Sequence, residues 1–121
     1  MSDAETARLI HQSLLGDAWE NARQAVVVFD DARNFVAFNS AYCQLTGYSR
    51  EEILELRVGG QLVADTDSRE AFERALAIGG GAVGRARMVH KDGSVIAVGY
   101  RLVETSVSTL PFTIALVWPE I

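Results

Sequence analysis

The sequence predicts an α+β domain: a five-stranded antiparallel sheet with its helices gathered on one face, and an amphipathic helix ahead of the first strand. Three observations predict it. Apolar residues recur at helical spacing before residue 15, two β-branched or aromatic runs at 25–31 and 35–38 flank a polar turn, and three more strand-like runs fill the last forty residues. The stretch between these strand groups is helical in pattern and closely punctuated.

Composition narrows the function classes. A chain of 121 residues supports one domain, and folding such a domain hides roughly two thirds of the surface that the unfolded chain exposes. Hydrophobic residues at 49% and charged residues at 22% are ordinary globular values. The longest apolar runs, Ala25 to Phe29 and Ile114 to Trp118, are five residues each, against the roughly 20 that a membrane helix needs. The acidic, polar N-terminus has no signal-sequence pattern, so a cytoplasmic location is expected. Cys43 is the single cysteine, which excludes an internal disulfide and a multi-cysteine metal site. The net charge of −5 argues against nucleic-acid binding, which draws on clustered Lys and Arg. Arg85 and Arg87 share one strand face, which Arg101 of a later strand can join, and they read as a solvated or interface surface.

Residues 4–15 set Ala7, Ile10, Leu14 and then Ala18 three and four apart, and Leu15 and Trp19 widen the stripe. Gly16 interrupts or merely weakens this helix; glycine costs about 1 kcal/mol against alanine. The stripe can pack on its own domain or against the same helix of a second chain, and a modest dimer contact is the expectation. Residues 25–31 form a strand, Asp30 to Asn34 turn the chain, and Phe35 to Phe38 complete a hairpin. Asn39 is placed to cap a helix that starts near Ser40, and Gly47 to close it in the left-handed conformation. Ser49 and Glu52 form a capping box for a second helix that ends near Leu56.

Residues 57–66 have no clear period, but Val58, Leu62 and Val63 are apolar and are expected to cover part of the core. A helix over 68–78, capped by Asp67 or Thr66, turns Phe72, Ala75, Leu76 and Ile78 inward, and Gly79-Gly80-Gly81 stops it. These glycines follow a helix and precede a strand, the reverse of a phosphate-cradling loop. Strand 82–90 turns at Lys91-Asp92-Gly93 into strand 94–104, with Val98, Tyr100 and Leu102 on one face and Ala97, Gly99 and Arg101 on the other. A polar connection over 105–111 leads to a closing strand, Phe112 to Trp118.

The segments VVVFDDARNFVAFNSAYCQLTGYSREEIL and HKDGSVIAV resemble the PAS sensor-domain family, in its strand–turn–strand, asparagine-led helix pair and Lys-Asp-Gly-Ser hairpin. The match runs from about Ala25 to Trp118, so residues 1–23 are expected to flank a sensor domain over 24–121. The resemblance implies a sensory or interaction module joined to an output domain, of the bacterial signal-transduction or transcription-regulatory kind, as in a histidine kinase. It implies a homodimer through the N-terminal helix (Ala7, Ile10, Leu14, Ala18) and the outer sheet face. It also implies a pocket between the inner sheet face and the helices, for which alternation nominates Val28, Leu45, Ile53, Leu56, Leu62, Phe72, Leu76, Met88, Val98, Tyr100, Leu116 and Trp118. The end of the chain just past the last strand is read as the edge of an excised domain.

Other chemistries are weighed against this reading. Haem-binding relatives carry a histidine in the helix before the glycines, where this chain has none; His11 and His90 lie elsewhere. Photosensory relatives form a flavin adduct from a cysteine in an Asn-Cys-Arg-Phe-Leu-type motif, and nothing over 55–68 matches it. Cys43 reads as a small hydrophobe. A proton-transfer enzyme needs a titratable group in an apolar pocket, and no Asp, Glu or His falls on an inward position of the last three strands, with Glu104 only at a strand end. The expectation is therefore a non-enzymatic module with no metal and no resident haem or flavin, whose pocket is filled by its own side chains or by a small apolar ligand.

Overall fold

The computed structural model describes residues 2–58, 60, 62–79 and 81–120. The side chains of Gln12 and Leu15 are not among them, so Leu15's expected place in the helical stripe, like Gly80's in the glycine stop, lies outside what is described. Helix α1 spans Asp3–Asn21, capped by Ser2, whose Oγ accepts from the Glu5 N–H at 3.1 Å. Gly16 does not interrupt it. The helix runs past residue 15 because its last turn is tied down: the Trp19 carbonyl accepts from Asn39 Nδ2, and the Glu20 carboxylate accepts from Ser40 and Arg50.

Strands β1 (Ala25–Asp30) and β2 (Phe35–Phe38) form the expected hairpin. Helix α2 (Ser40–Thr46) starts at the Asn39 cap and ends at Gly47, whose φ of 78° is left-handed. Helix α3 (Arg50–Leu54) opens with the Ser49–Glu52 capping box, Ser49 Oγ accepting from the Glu52 N–H at 3.2 Å and Glu52 Oε1 from the Ser49 N–H at 3.0 Å. Helix α4 (Thr66–Ile78) is capped by Asp65, not by Thr66 or Asp67. Asp65 Oδ1 accepts from the Ser68 N–H at 2.7 Å while Oδ2 accepts from Arg87 at 2.6 Å. The sequence offers Asp65 and Asp67 together as cap-type carboxylates, and Asp65 is the one that caps; its second partner lies across the fold.

Strands β3 (Val83–Val89), β4 (Val95–Val107) and β5 (Leu110–Pro119) complete an antiparallel sheet in the order β2-β1-β5-β4-β3. No polar connection separates β4 from β5. Both strands continue to a tight turn at Ser108 and Thr109, with φ of 50° and 70°. Two consecutive positive φ values give the turn the twist that suits a hairpin, but neither residue is the Gly or Asn that announces such a turn in sequence. Pro111 sits beyond the last β1 pair, Asp30 with Phe112, so it takes no ladder donor from that side.

The segment over 57–68 joins the two edges of the sheet. At β2, the Val58 N–H donates to the Arg33 carbonyl at 3.1 Å. At β3, the Ala64 N–H donates to the Arg87 carbonyl at 2.8 Å, the Leu62 carbonyl accepts from Val89, and Ser68 Oγ accepts from the Arg87 N–H. Its backbone thus occupies edge groups that would otherwise be open to another strand.

The core lies between one sheet face and α2–α4, around the fully buried Phe29, Ile53, Val98 and Leu102. Rings pack edge-on or tilted within it: Phe72 meets Tyr100 at 5.5 Å and 78°, and Phe38 meets Tyr42 at 6.2 Å. Asn39, 0% exposed, is one of three buried polar residues among those described, with Thr46 and Ser68. Its Oδ1 accepts from the N–H groups of Val26 and Tyr42, and its Nδ2 donates to the carbonyls of Trp19 and Gln24, all between 2.8 and 3.2 Å.

Two predictions follow from these bonds. As a cap alone, Asn39 would tolerate Asp, an equally good cap acceptor. As a cross-link it should not, because a carboxylate puts an acceptor oxygen, in place of the Nδ2 donor, against the Trp19 and Gln24 carbonyls. Chemical denaturation should find Asn39→Ala and Asn39→Asp both destabilised at neutral pH by roughly 3 kcal/mol, and a neutral Asn39→Asp would reduce the residue to a cap. The second concerns acid. Lys91 and the Ser49 N–H hold the Glu52 carboxyl at about 2, below its ordinary 4.5, and Arg87 and the Ser68 N–H hold Asp65 at about 2, below 3.8. A depressed folded pKa gives stability that is present above the ordinary value and lost as pH falls toward the folded one. The denaturation midpoint should therefore fall between about pH 4.5 and pH 2, less steeply in Glu52→Gln, and an identical pH profile for that variant would contradict the assignment.

Candidate functional site

The inner sheet face and the helices line a partly open cavity of about 70 Å³. Strands β1, β4 and β5 form its floor with Val27, Phe29, Val98, Tyr100, Ala115 and Val117. Phe35, Tyr42 and Phe72 close it on the helix side and at the β2 edge, and Val58, Leu62, Val63, Ala86 and Met88 close the flank crossed by the 57–68 segment. No charged side chain and no His lines it among the described residues.

Of the twelve residues nominated from the sequence, Leu62, Phe72, Met88, Val98 and Tyr100 line this cavity. Ile53 is fully buried in the core beside it, and Leu45, Leu56 and Leu76 are partly buried against the core, but none of the four reaches the cavity wall. Leu45 borders a separate cleft with Arg23 and Trp118, and Leu76 another with Glu73 and Glu104.

Val28, Leu116 and Trp118 are corrections: they lie on the opposite, outer face of the sheet. The register pairs Ala25 with Val117 and Val27 with Ala115, and it is these residues, with Phe29, that are buried on the inner face. Trp118 pairs with Gly99 and its indole lies across it, so close that a Cβ on Gly99 would fall 2.5 Å from Trp118 Nε1. Alternation missed this because Val26 to Phe29 and Ile114 to Trp118 are apolar at every position, so the pattern does not say which parity faces in. Val27, Phe29, Ala115 and Val117 were visible only as members of those runs; Phe35 and Tyr42 carried no signal beyond being aromatic.

Two tyrosines are among the lining residues. Burial raises the pKa of Tyr42, which is 4% exposed, and that of Tyr100, with a smaller opposing pull from Arg74 on the latter. Both are therefore neutral phenols at physiological pH. Tyr100 is placed by a close approach: it pairs with Gly84, where a Cβ would fall 2.5 Å from its Cζ and Oη. Cys43 sits on α2, half-buried, with burial raising its thiol pKa, which disfavours the reactive thiolate. Among the described residues no group of His, Cys, Asp and Glu is arranged to hold a metal ion, and no helix is long and apolar enough to cross a membrane.

The outer face carries Val26, Val28, Phe112, Ile114, Leu116 and Trp118, all half-buried, and the exposed Arg85, Arg87 and Arg101 toward the β3 side. Helix α1 does not cover it. Ala7, Ile10, Leu14 and Ala18 are all exposed, Ile10 at 56% and Leu14 at 63%. Of the two destinations open to the stripe, packing on its own domain is not the one adopted.

Comparison with known proteins completes the picture. No curated protein matches the sequence. Among solved structures, the PAS domain of a two-component sensor histidine kinase superposes with a TM-score of 0.71 at 21% identity, over 98% of this chain and 100% of that one. The PAS domain of an HTR-like protein from Haloarcula marismortui gives 0.79 at 18% identity, over 98% and 100%. An RNA-binding Light-Oxygen-Voltage receptor gives 0.78 at 23% identity over 92% of this chain, which spans 33% of that receptor. At these identities the likeness speaks for the fold. The model of the PAS fold matches residues 7–106, most of the chain, and this protein belongs to the PAS family.

Proposed function

We propose that this PAS domain is a ligand-sensing and dimerisation module: its internal cavity takes a small, mostly apolar molecule, and α1 with the outer sheet face pairs with a second copy. The observation that carries the reading is the apolar cavity of about 70 Å³ within an otherwise packed core. Protein interiors leave few voids larger than a water molecule. On the outside, the exposed α1 stripe and the apolar outer face offer a second copy the kind of surface a homodimer buries. The likeness to a sensor histidine kinase domain supports a place in signal transduction, joined to an output domain that the ligand and the dimer contact regulate together.

A ligand shifts such an equilibrium only by its differential affinity for two states. The reading is therefore of a sensor with two arrangements of the inner wall rather than of an enzyme, since among the described residues no side chain lining the cavity is a carboxylate or an imidazole. The likeness to a Light-Oxygen-Voltage receptor raises flavin as a second occupant, but a cavity of this size holds only a fraction of a flavin ring system.

The purified chain should show a bare protein absorbance spectrum, and a flavin or Soret band would replace the small-ligand reading with a cofactor one. By size exclusion at micromolar concentration the wild-type chain should elute as a dimer and Ile10→Glu/Leu14→Glu as a monomer of unchanged thermal stability. Both positions are exposed, so the substitutions cost the fold little, and a monomeric wild type would end the dimer proposal.

A further inference from the structure

Two surfaces of this chain stand uncovered, and each carries what the other lacks. On the outer sheet face the register sets Val26, Leu116, Arg101 and Val83 side by side across β1, β5, β4 and β3. Arg101 is therefore an exposed cation in an otherwise apolar row. The other two arginines of this face are already engaged within the chain: Arg85 Nε lies 3.5 Å from Glu120 Oε1, and Arg87 Nε lies 2.6 Å from Asp65 Oδ2. Among the described residues the Arg101 side chain has no ion pair or hydrogen bond.

Helix α1 is the converse. Asp3, Ala7, Ile10, Leu14 and Asp17 follow one another at steps of four, three, four and three, so they form one seam with a carboxylate at each end. All five are exposed, and neither carboxylate has a partner among the described residues. This seam suits its own copy poorly. A parallel pair in register sets Asp3 against Asp3 and Asp17 against Asp17, where like charges repel. An antiparallel pair with Ile10 facing Leu14 sets Asp17 against Ala7, where it has no counter-ion. The outer sheet face offers both things the seam needs, an apolar bed and a free cation. Lengths agree as well: at 1.5 Å per residue the stripe from Ala7 to Ala18 is about 17 Å long, and at 3.4 Å per residue the outer row of β5 from Phe112 to Trp118 is about 20 Å long.

From these we infer that the dimer is an exchange, in which the α1 seam of each copy lies on the outer sheet face of the other and Asp17 pairs with Arg101 of the partner subunit. The inference rests on the dimerisation reading above and names its contact. Ile10 and Leu14 cover the β5 row at Ile114 and Leu116, and Asp17, one turn further on, reaches the cation beside Leu116 on the neighbouring strand. The apolar contact supplies affinity, whereas the charge pair sets register and partner choice. Arg101 is then the residue that distinguishes this seam from any other apolar helix, since an uncharged stripe would leave the guanidinium covered and unpaired.

The test is the dimer dissociation constant of the full chain, measured by sedimentation at low ionic strength. Arg101→Glu and Asp17→Arg should each weaken the dimer about tenfold or more, because each sets like charges together. The double variant Asp17→Arg/Arg101→Glu should return to within about threefold of wild type. Both positions are exposed, and the circular dichroism of all three variants should match wild type. Asp17→Asn separates the two possible contacts by sign. It should weaken the exchanged dimer about twofold to fivefold, whereas a parallel helix-to-helix dimer would tighten as Asp17 no longer faces its copy. Tightening by Asp17→Asn, an unchanged constant for Arg101→Glu, or a double variant as weak as the single ones overturns the exchange and leaves the dimer reading in place. A wild type that stays monomeric at every concentration ends both.

Discussion

Asn39 makes every hydrogen bond its amide can support at short range, two accepted by Oδ1 and two donated by Nδ2, and it is wholly buried while doing so. Those four bonds join the first turn of α2, the start of β1, the link at Gln24 and the last turn of α1. The partners are backbone groups at the ends of elements, which have no partner inside their own element. One side chain therefore fixes the angle at which the N-terminal helix leaves the domain. Around it, Glu20, Ser40 and Arg50 form a polar cluster over the same junction, with the Arg50 guanidinium 5.7 Å from the Phe38 ring centroid and an Arg50 N–H on the Phe38 carbonyl. These are exposed charges that contribute little individually; Asn39 is inside, and its bonds are not traded for water.

How much of this could be read from the sequence depends on how local the physics is. Asn39, Gly47, Ser49 and Glu52 act on backbone groups within three or four residues, and the structure has each of them in the cap geometry its residue type implies. The Asp92-Gly93 turn is equally local, with Gly93 at a φ of 91°. The second pair of bonds made by Asn39, to Trp19 and Gln24, was not readable, because no pattern marks which distant carbonyls an amide will meet. The Asp65 carboxylate was legible as cap chemistry, but its second partner, Arg87 from across the fold, was not, for the same reason. The inner and outer faces of β1 and β5 were exchanged because both are apolar. That ambiguity is itself informative: a sheet apolar on both faces packs a core on one and offers the other to a partner.

The cavity depends on an unreadable feature as well. Void space is a small residual of many side-chain volumes, and alternation lists which residues face inward without saying whether they fill the space between them. Gly84 is the local clue that does bear on it, since only glycine permits the Tyr100 ring to lie across β3 at that pair. Gly99 makes the same allowance for Trp118 on the other face. The two glycines stand on neighbouring strands, one beneath each side of the sheet, and each seats a large aromatic donated by the next strand.

These placements put the inner and outer surfaces in mechanical contact through a single layer. Tyr42 lines the cavity with its ring, and its N–H donates to Asn39 Oδ1. Val27 lines the cavity too, and the N–H of its neighbour Val26 donates to the same oxygen. The amide nitrogen of Asn39 holds the end of α1. A change in the inner wall that moved Tyr42 or β1 would therefore reach the N-terminal helix through one rigid side chain, without crossing the rest of the core. Spatial continuity alone does not establish coupling; what makes it physical is an element with two arrangements that both ends bias. Helix α1 is the element such a change would re-aim, because among the described residues the side-chain bonds that tie it to the domain lie in its last turn. The remainder, with Leu9, Ile10 and Leu14 exposed, follows the angle that Asn39 sets.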